Sequence, residues 1–593
     1  MWRPNAGRHR RRRKRSLRSV SFSAAIGRGL AGARAAVRPE VSTRRSRSHS
    51  GRRPPPGCPP RARNRAHSPG RRHIMADGTG HFGAELHLAT DVLVIGGGPA
   101  GTWAALAARA AGAEVILVDK GWCGASGVGA AATIGHWWVA PEGRAAAMAA
   151  KAVDACGLAE ETWMERVLAE TWASWPGFAE SRGYIGDPTY RSGRGGQVVV
   201  QGPVYLREMR RLVHRAGVTI LDHAPALSLL RDAAGRCAGA EGVLRQKDQR
   251  WRIDARAVVM AAGGSALRSG CIGSSVNTGD ALLMAAELGA EWSGMEFSNY
   301  YGIVPKGGSV DKNGYLLQAA FFDAAGHQVH LGWSSPYGVI GTAAAPLFGH
   351  EPVFCQFTQV PEANRPFLRA GQPNLFTQFD RLGVDPFTQK FEVEPMFEGS
   401  VRGSGGIVVT ADCASSVPGL WVAGDAASRE MLVGASSGAG AINAAWTLAS
   451  GRWAGLAAAR SAREGAPGRG ERAREPVPGR RIAAVRPLLQ ALQAEVLPIR
   501  RNGFRRARTL NETLALTAEL EDELQAAPGA GDARSALFAR ELSGMLFHAR
   551  TGASAALART ESRGVHQRTD FPETSPCTWQ RRLAGQGLDM TLR

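Results

Sequence analysis

The chain has 593 residues, 44 % of them hydrophobic, with 73 Lys and Arg against 51 Asp and Glu and a formal net charge of +22. That charge is local: residues 1–74 hold 22 of the basic residues and one acid, Glu40, which leaves 51 basic and 50 acidic residues from position 75 onward. A near-neutral body argues against a nucleic-acid-binding domain, and its length suffices for two or three domains.

Residues 1–74 are rich in Arg, Ser, Pro and Gly and poor in large apolar groups. Such a segment buries too little surface to offset its chain entropy and is expected to be disordered. Three readings compete for it. It is an upstream start with Met75 the true initiator, a basic arm for nucleic acid or an anionic surface, or a targeting segment. The basic cluster 10–15 does precede a mildly apolar stretch, but Arg28 and Arg34 interrupt it. The first reading is the simplest and is preferred. No uninterrupted apolar run approaches a membrane span. The eight cysteines, Cys58, Cys123, Cys156, Cys237, Cys271, Cys355, Cys413 and Cys577, include no C-x-x-C pair. Neither a zinc site nor an iron–sulfur cluster is indicated, and the thiols read as reduced groups of a cytoplasmic protein.

Residues 91–119 read DVLVIGGGPAGTWAALAARAAGAEVILVD. The run Val92–Ile95 predicts a buried parallel strand. Gly96, Gly98 and Gly101 follow in G-x-G-x-x-G spacing, then an Ala-rich helix, then a second strand, Glu114–Val118, ending at Asp119. The first glycine permits a tight turn, the second lets backbone approach a pyrophosphate, and the third lets helix and strand pack closely. The helix N-terminus offers N–H groups to the anion, and Asp119 can accept hydrogen bonds from a ribose. This pattern predicts a dinucleotide site without choosing between NAD and FAD.

A Gly/Ala/Ser loop, 121–135, comes next, followed by Trp137–Trp138. Residues 142–183 look helical. A helix over 205–217 leads into a strand at 218–221. Segments 227–230 and 238–244 suggest an antiparallel ribbon. Residues 257–261 form a buried strand ending in Gly263–Gly264, and 277–299 reads as a turn and a helix. Residues 300–400 have the irregular texture of an inserted domain. A β-rich unit at 405–425 ends in Gly424–Asp425, before a helix at 439–450. A Gly/Arg/Pro linker, 463–480, precedes a helical tail. There Thr509 and Glu512 suggest a capping box, and Leu510, Leu514, Leu520 and Leu524 line one face.

Seven ordered segments resemble the flavoprotein subunit family of succinate dehydrogenase and fumarate reductase, to which L-aspartate oxidase and the adenylylsulfate reductase flavoprotein also belong. They are the fingerprint at 91–119, AAGG at 261–264, NTGDALLMAAELGA at 277–290, MEF at 295–297, GGI at 405–407, VPGLWVAGDAA at 417–427 and ESRGVHQRTDFP at 561–572. The resemblance implies FAD as cofactor and an α/β fold: a Rossmann-like FAD-binding domain, an inserted α+β capping domain and a C-terminal helical domain. The expected boundaries are 86–290 plus 400–460 for the FAD domain, 291–399 for the cap and 480–593 for the tail. It implies that Gly96, Gly98 and Gly101 take the pyrophosphate, Asp119 the adenosine ribose and Asp425 the ribitol chain. Ser126, Gly263 and Asp280 complete the expected set. Helix capping is the plain alternative for Asp280 and Asp425.

The departures from the family are informative. Membrane-bound members attach FAD through a His just after the loop Ser; here that position is Gly127, so FAD is expected to be non-covalent. The dicarboxylate enzymes carry F-H-P after M-E-F-x-Q, H-Y-x-x-G-G-I, and G-A-N-R-L. Here Tyr301, Val401 and Ser437 stand at the two His and the Arg positions, and no R-G-E motif occurs in the cap. Succinate and fumarate are dianions that need such donors, so neither they nor aspartate is the expected substrate. Arg402, Tyr301 and Tyr300 fall at positions that face the flavin in the family and are the catalytic candidates, with core packing the alternative for the tyrosines. His350, Glu351 and Arg365 are weaker candidates, and Arg563 and His566 read as parts of a structural ion network. The expected function is FAD-dependent transfer of a hydride or two electrons between a small molecule and an external partner. Candidate partners are a separate ferredoxin-like iron–sulfur protein, a soluble donor such as NAD(P)H, or oxygen. An RNA-associated flavoprotein with a basic arm is the other class.

Overall fold

The computed structural model describes residues 83–180, 199–311, 316, 319–329, 351–438, 440–464, 470–575, 579 and 581–593. The readings offered for 1–74, and His350, lie outside them. The apolar run at 92–95 is the end of a longer strand, Gly83–Ile95, in an eight-stranded sheet. Val115–Val118 and then Thr219–Leu221 lie parallel on one side, and Gln249–Met260 lies parallel on the other. Leu420–Val422 pairs, also parallel, with the last turn-proximal residues of Gln249–Met260. The first half of that strand continues the sheet through antiparallel Cys237–Leu244, Ala226–Arg231 and Glu471–Arg472.

Register places the site. Ile95 pairs with Val118 and with Met260, and Met260 pairs with Val422. Four parallel strands therefore end at one level, and the loops after them converge at the carboxyl edge, where open α/β sheets bind ligands. The helices Pro99–Ala110 and Ala441–Glu464 cover one face. Their Gly/Ala composition is a packing requirement: a Cβ at Gly451 or Gly455 would lie 2.4 Å and 2.2 Å from the carbonyls of Ala100 and Ala104.

A second, antiparallel sheet is built from Tyr300–Pro305, Phe391–Gly399, Val353–Gln356, Ala320–Phe322 and Gln328–Val329. Its core is aromatic: Phe357 and Phe391 pack against Phe379 of the helix Pro373–Leu382, with Phe376 of that helix buried in the same cluster. The C-terminal helices Ile482–Val496, Ala507–Ala526 and Ala533–Ala558 share an apolar cluster through Leu489, Leu492, Leu520, Leu524, Leu542 and Leu546. The mixed α/β class with a helical C-terminal region is as the sequence led us to expect. Among the described residues no helix is long and apolar enough to cross a membrane.

Two local expectations fail. The helical stretch 142–183 is broken into Arg144–Asp154 and Glu161–Glu180, because Cys156 and Gly157 take positive φ values of 55° and 81°. Thr509 does not start a helix: Arg506 is the N-cap of Ala507–Ala526, and Thr509 Oγ1 accepts from the Arg506 N–H at 3.3 Å. Glu512 pairs with Arg508 and Arg501 instead, at 2.9 and 3.0 Å.

Candidate functional site

The converging loops enclose a cleft with an empty volume of about 790 Å³, its solvent mouth included, within the size range of cofactor pockets. Gly96 and Gly98 form its floor at the N-terminus of Pro99–Ala110. Gly96 has φ +111°, and a Cβ there would lie 2.3 Å from the Ala261 carbonyl, so only glycine fits. A Cβ at Gly98 would meet nothing within 4 Å; that open space is the cleft itself. Gly101 does not line the cleft. A Cβ there would lie 1.7 Å from the Gly96 carbonyl, so this glycine sets how closely helix and strand approach.

Asp119 is 5 % exposed. Its carboxylate accepts from the N–H of Gly97 at 2.6 Å, the N–H of Gly121 at 2.7 Å and the hydroxyl of Ser126 at 2.6 Å. A carboxylate offers about four acceptor sites, so roughly one remains for a ligand. Asp119 thus ties together the glycine loop, the end of its own strand and the Ser126 loop. Ser126 directs its hydrogen to Asp119, and Gly127, with φ +83°, follows on the cleft wall.

Gly263, Asp280 and Asp425 line the same cleft. Seven of the eight residues expected to hold the cofactor are thereby brought together from positions 96 to 425. Asp280 is the first residue of the helix Asp280–Glu287, with Gly279 as N-cap. Its carboxylate accepts from Thr278 Oγ1 at 2.8 Å and is ion-paired with Lys120, so the capping alternative gives way to a buried network. Lys120 also reaches Glu541 on the C-terminal helix at 3.1 Å. Burial alone lowers its pKa, but Asp280 and Glu541 together raise it above the ordinary value. Asp425 lies in the short turn Gly424–Ala426, which it does not cap, and is paired with Arg429.

Two further lining residues were not singled out from the sequence: Lys120, which follows Asp119, and Asn277, which opens the NTGD turn of the segment 277–290. The Asn277 Oδ1 is buried without a hydrogen-bond partner among the described residues. Positive-φ glycine floor, orphaned amide oxygen and a carboxylate with one free acceptor together fit a bound dinucleotide.

The catalytic candidates lie elsewhere. Arg402 Nε stands 3.3 Å from Glu398 Oε2 in a buried ion pair. Burial lowers its pKa, but Glu398 first, then Tyr300, Asp311 and Cys271, raise it above the ordinary value. Cys271 Sγ donates to Asp311 Oδ1 at 3.3 Å in the same cluster. Tyr300 is buried against Leu158, Phe297, Ala435 and Val565. Tyr301 is packed edge-on against Phe397 in the apolar cluster of the C-terminal helices, and its hydroxyl donates to the Val496 carbonyl at 3.4 Å. None of the three lines the cleft. Glu351 is exposed, and Arg365 stacks over Phe387 at 5.0 Å, so neither joins the site.

The C-terminal signature builds an ion network, as its composition suggested. Arg559 pairs with Glu296 at 2.8 Å and Glu561 at 2.9 Å, and Arg563 with Glu561 at 2.7 Å. An Arg505 N–H donates to His566 Nδ1 at 3.0 Å, so the ring proton sits on Nε2, 3.2 Å from the Arg559 carbonyl. Burial, then the charges of Arg505 and Arg559, hold His566 neutral, with its pKa well below the ordinary value.

Comparison with known proteins agrees with this geometry. Residues 91–270 match the family described as FAD dependent oxidoreductase, and residues 497–588 match the fumarate reductase flavoprotein C-terminal domain. The L-aspartate oxidase of Streptomyces coelicolor is 26 % identical over 404 residues, covering 64 % of this chain and 68 % of that protein. The L-aspartate oxidase of Caulobacter vibrioides is 27 % identical over 378 residues, covering 61 % and 66 %. Among solved structures, E. coli quinol fumarate reductase FrdA superposes with a TM-score of 0.70 at 20 % identity, covering 84 % of this chain and 94 % of that one. Adenosine-5-phosphosulfate reductase in complex with sulfite gives 0.66 at 18 %, covering 86 % and 96 %. At these identities the structural matches establish the shared fold.

Proposed function

We propose that this chain, whose residues 91–270 and 497–588 match the FAD-dependent oxidoreductase and fumarate reductase flavoprotein C-terminal families, uses a non-covalent FAD to move a hydride or two electrons between a small molecule and an external partner. The observation that carries this reading is the cleft shared by Gly96, Gly98, Asp119, Ser126, Gly263, Asp280 and Asp425.

When bound, FAD supplies the hydride or two-electron chemistry. Gly96, Gly98 and the start of Pro99–Ala110 receive the pyrophosphate through backbone N–H groups and the helix dipole. Asp119 offers its remaining acceptor to the adenosine ribose while holding Gly97 and Ser126 in place. Asp425 accepts from the ribitol chain. Gly127 has no nucleophile for a flavin bond. Arg402, with Tyr300 beside it, is our candidate for stabilising negative charge at the reacting centre. The loss of His at 301 and 401 and of Arg at 437 removes the donors that a dicarboxylate needs, so the substrate is not succinate or fumarate. The scattered cysteines offer no paired cluster ligands, so the electron partner is a separate molecule: a ferredoxin-like iron–sulfur protein or a soluble donor.

Purified protein is expected to be yellow, to release intact FAD on heat or acid, and to turn over neither succinate nor fumarate at a useful rate with artificial carriers. Flavin fluorescence that stays with the denatured polypeptide, or robust turnover of either dicarboxylate, overturns the corresponding part. The two curated relatives named L-aspartate oxidase favour a second reading, an oxygen-using oxidase. Stoichiometric hydrogen peroxide during turnover is its signature.

A further inference from the structure

Lys151 lies on the inner side of the helix Arg144–Asp154 and is 5 % exposed. Its ammonium donates to Ser436 Oγ at 2.7 Å and to the Ser437 carbonyl at 2.9 Å. Ser436 passes its own hydrogen to the Val433 carbonyl at 2.9 Å. An ammonium has three N–H donors, so one is left over. Among the described residues no carboxylate forms an ion pair with Lys151. The titratable groups that bear on it are Asp154, one turn along, and the Cys156 thiol, beside which stands Arg563. Burial pushes the ammonium down to about 8, only partly offset by those two groups. Buried lysines are almost always paired with an acid, and a buried cation held by neutral acceptors alone is costly.

A second buried group with spare capacity belongs to the same segment. Asn443 is 8 % exposed, and neither atom of its amide has a hydrogen-bond partner among the described residues. A Cβ at Gly438, next to Ser437, would lie 2.3 Å from Asn443 Oδ1. Asn443 and Thr447 are four apart on the helix Ala441–Glu464 and so share a face. Thr447 lines the dinucleotide cleft. Asn443 thus stands one turn from the cleft, on the side of the loop that Lys151 holds.

We propose that Lys151, with Ser436 and Asn443, forms a recognition subsite for a single oxyanion group of the substrate, a carboxylate-type monoanion, beside the cleft. This rests on the flavin reading above for its identification as a substrate subsite. The third ammonium N–H and the amide N–H groups of Asn443 are the donors, and the incoming anion supplies the missing counter-charge in a desolvated setting. One cation specifies one anionic group, where a dianion would require a second.

The test is isothermal titration calorimetry of the FAD-loaded full chain with acetate, and with acetamide as the neutral isostere. Acetate is expected to bind and acetamide not. Lys151→Met should weaken acetate binding by roughly 10- to 100-fold, the scale for losing a charge-assisted hydrogen bond, with FAD content unchanged. Equal acetate affinity in the variant overturns the proposal, and so does a wild type that binds acetate no better than acetamide. Loss of FAD from the variant also overturns it, by assigning Lys151 to the cofactor. Should the variant fail to fold, the wild type decides: acetate affinity should fall about tenfold per pH unit above about 8 as the ammonium deprotonates. A flat profile overturns the site. The calorimetric signal does not depend on turnover, so a chain without FAD that binds acetate through Lys151 defeats the flavin reading and leaves the anion site standing.

Discussion

Replacing Asp119 with Ala tests the central organising role assigned to one carboxylate. The wild-type group accepts three hydrogen bonds of 2.6, 2.7 and 2.6 Å, from Gly97, Gly121 and Ser126. The Ser126 hydroxyl can rotate to another partner. The two backbone N–H groups have no such freedom, and each buried donor left unsatisfied costs about 1–3 kcal/mol. The loops that line the cleft should therefore lose roughly 2–6 kcal/mol of order. If half of that must be restored when FAD binds, the dissociation constant rises by roughly 5- to 140-fold, at about 1.4 kcal/mol per tenfold. Asp119→Asn keeps one carbonyl acceptor and should fall between. Ser126→Ala removes one of three donors and should cost less than tenfold. The assay is FAD per chain in purified protein, followed by fluorescence titration of the deflavinated protein, with a thermal melt of each apo form to separate loop order from global unfolding. An Asp119→Ala protein with full FAD and unchanged affinity refutes the reasoning.

Tyr301→Phe should leave turnover within about twofold and cost about 1 kcal/mol or less, because its hydroxyl makes one long bond to the Val496 carbonyl; a loss near 100-fold would return Tyr301 to proton transfer. Arg402→Ala should keep FAD yet slow turnover by about 100-fold or more, the scale for one preorganised donor. Full FAD with near-wild-type turnover would leave Arg402 as the counter-ion of Glu398 alone. Burial, then the Glu296 carboxylate, push Glu430 up from 4.5 to about 7. The folded state holds a proton that the unfolded chain has released, so this group favours folding at low pH and its contribution is lost as pH rises through about 7. Denaturant melts at pH 4.5 and 7.5 should show a smaller drop for Glu430→Gln than for wild type, and parallel drops would refute the shift.

The parts legible in the sequence are those whose physics is local. The strand, glycine turn and helix at 91–119 follow from spacing alone, because sterics at Gly96 and Gly101 act within a few residues. The break at 155–160 was missed although it has a local signal: Gly157, with φ 81°, is the glycine that commonly follows a helix end. The start of the helix at 507 was misplaced for a tertiary reason. Thr509-x-x-Glu512 satisfies the local capping pattern, yet the Ala507 N–H is taken by Asp570, 63 residues away. For Tyr301 the sequence left two readings, catalysis and core packing, and only tertiary contacts could place its ring: it lies in the helical cluster, edge-on to Phe397. Lys151 carries no local signal at all, because what distinguishes it, burial without an ion-paired carboxylate among the described residues, is a property of the fold.

Arg429 is the residue that makes the cleft and the catalytic candidates one structure. Its side chain is 1 % exposed and ion-paired with Asp425, which lines the cleft. The same guanidinium donates to the carbonyls of Ser400 at 3.0 Å, Val401 at 2.9 Å and Gly403 at 2.5 Å. Those three carbonyls bracket Arg402, which in turn meets Glu398 on the strand Phe391–Gly399. A planar fork of five N–H donors is suited to this, and Lys, with three donors on a flexible stem, is not. The position of Asp425 is therefore transmitted through one rigid side chain to the loop that carries Arg402. The same end of the second sheet, where Tyr300 pairs with Gly399, is also fixed by a different arginine pair, Arg559 and Arg505, which grip the side chain and the carbonyl of Glu296 just before Tyr300. The strands Tyr300–Pro305 and Phe391–Gly399, the first carrying Tyr300 and the second leading into the loop of Arg402, are thus anchored at one end by three buried arginines, Arg429, Arg505 and Arg559, from separate parts of the sequence.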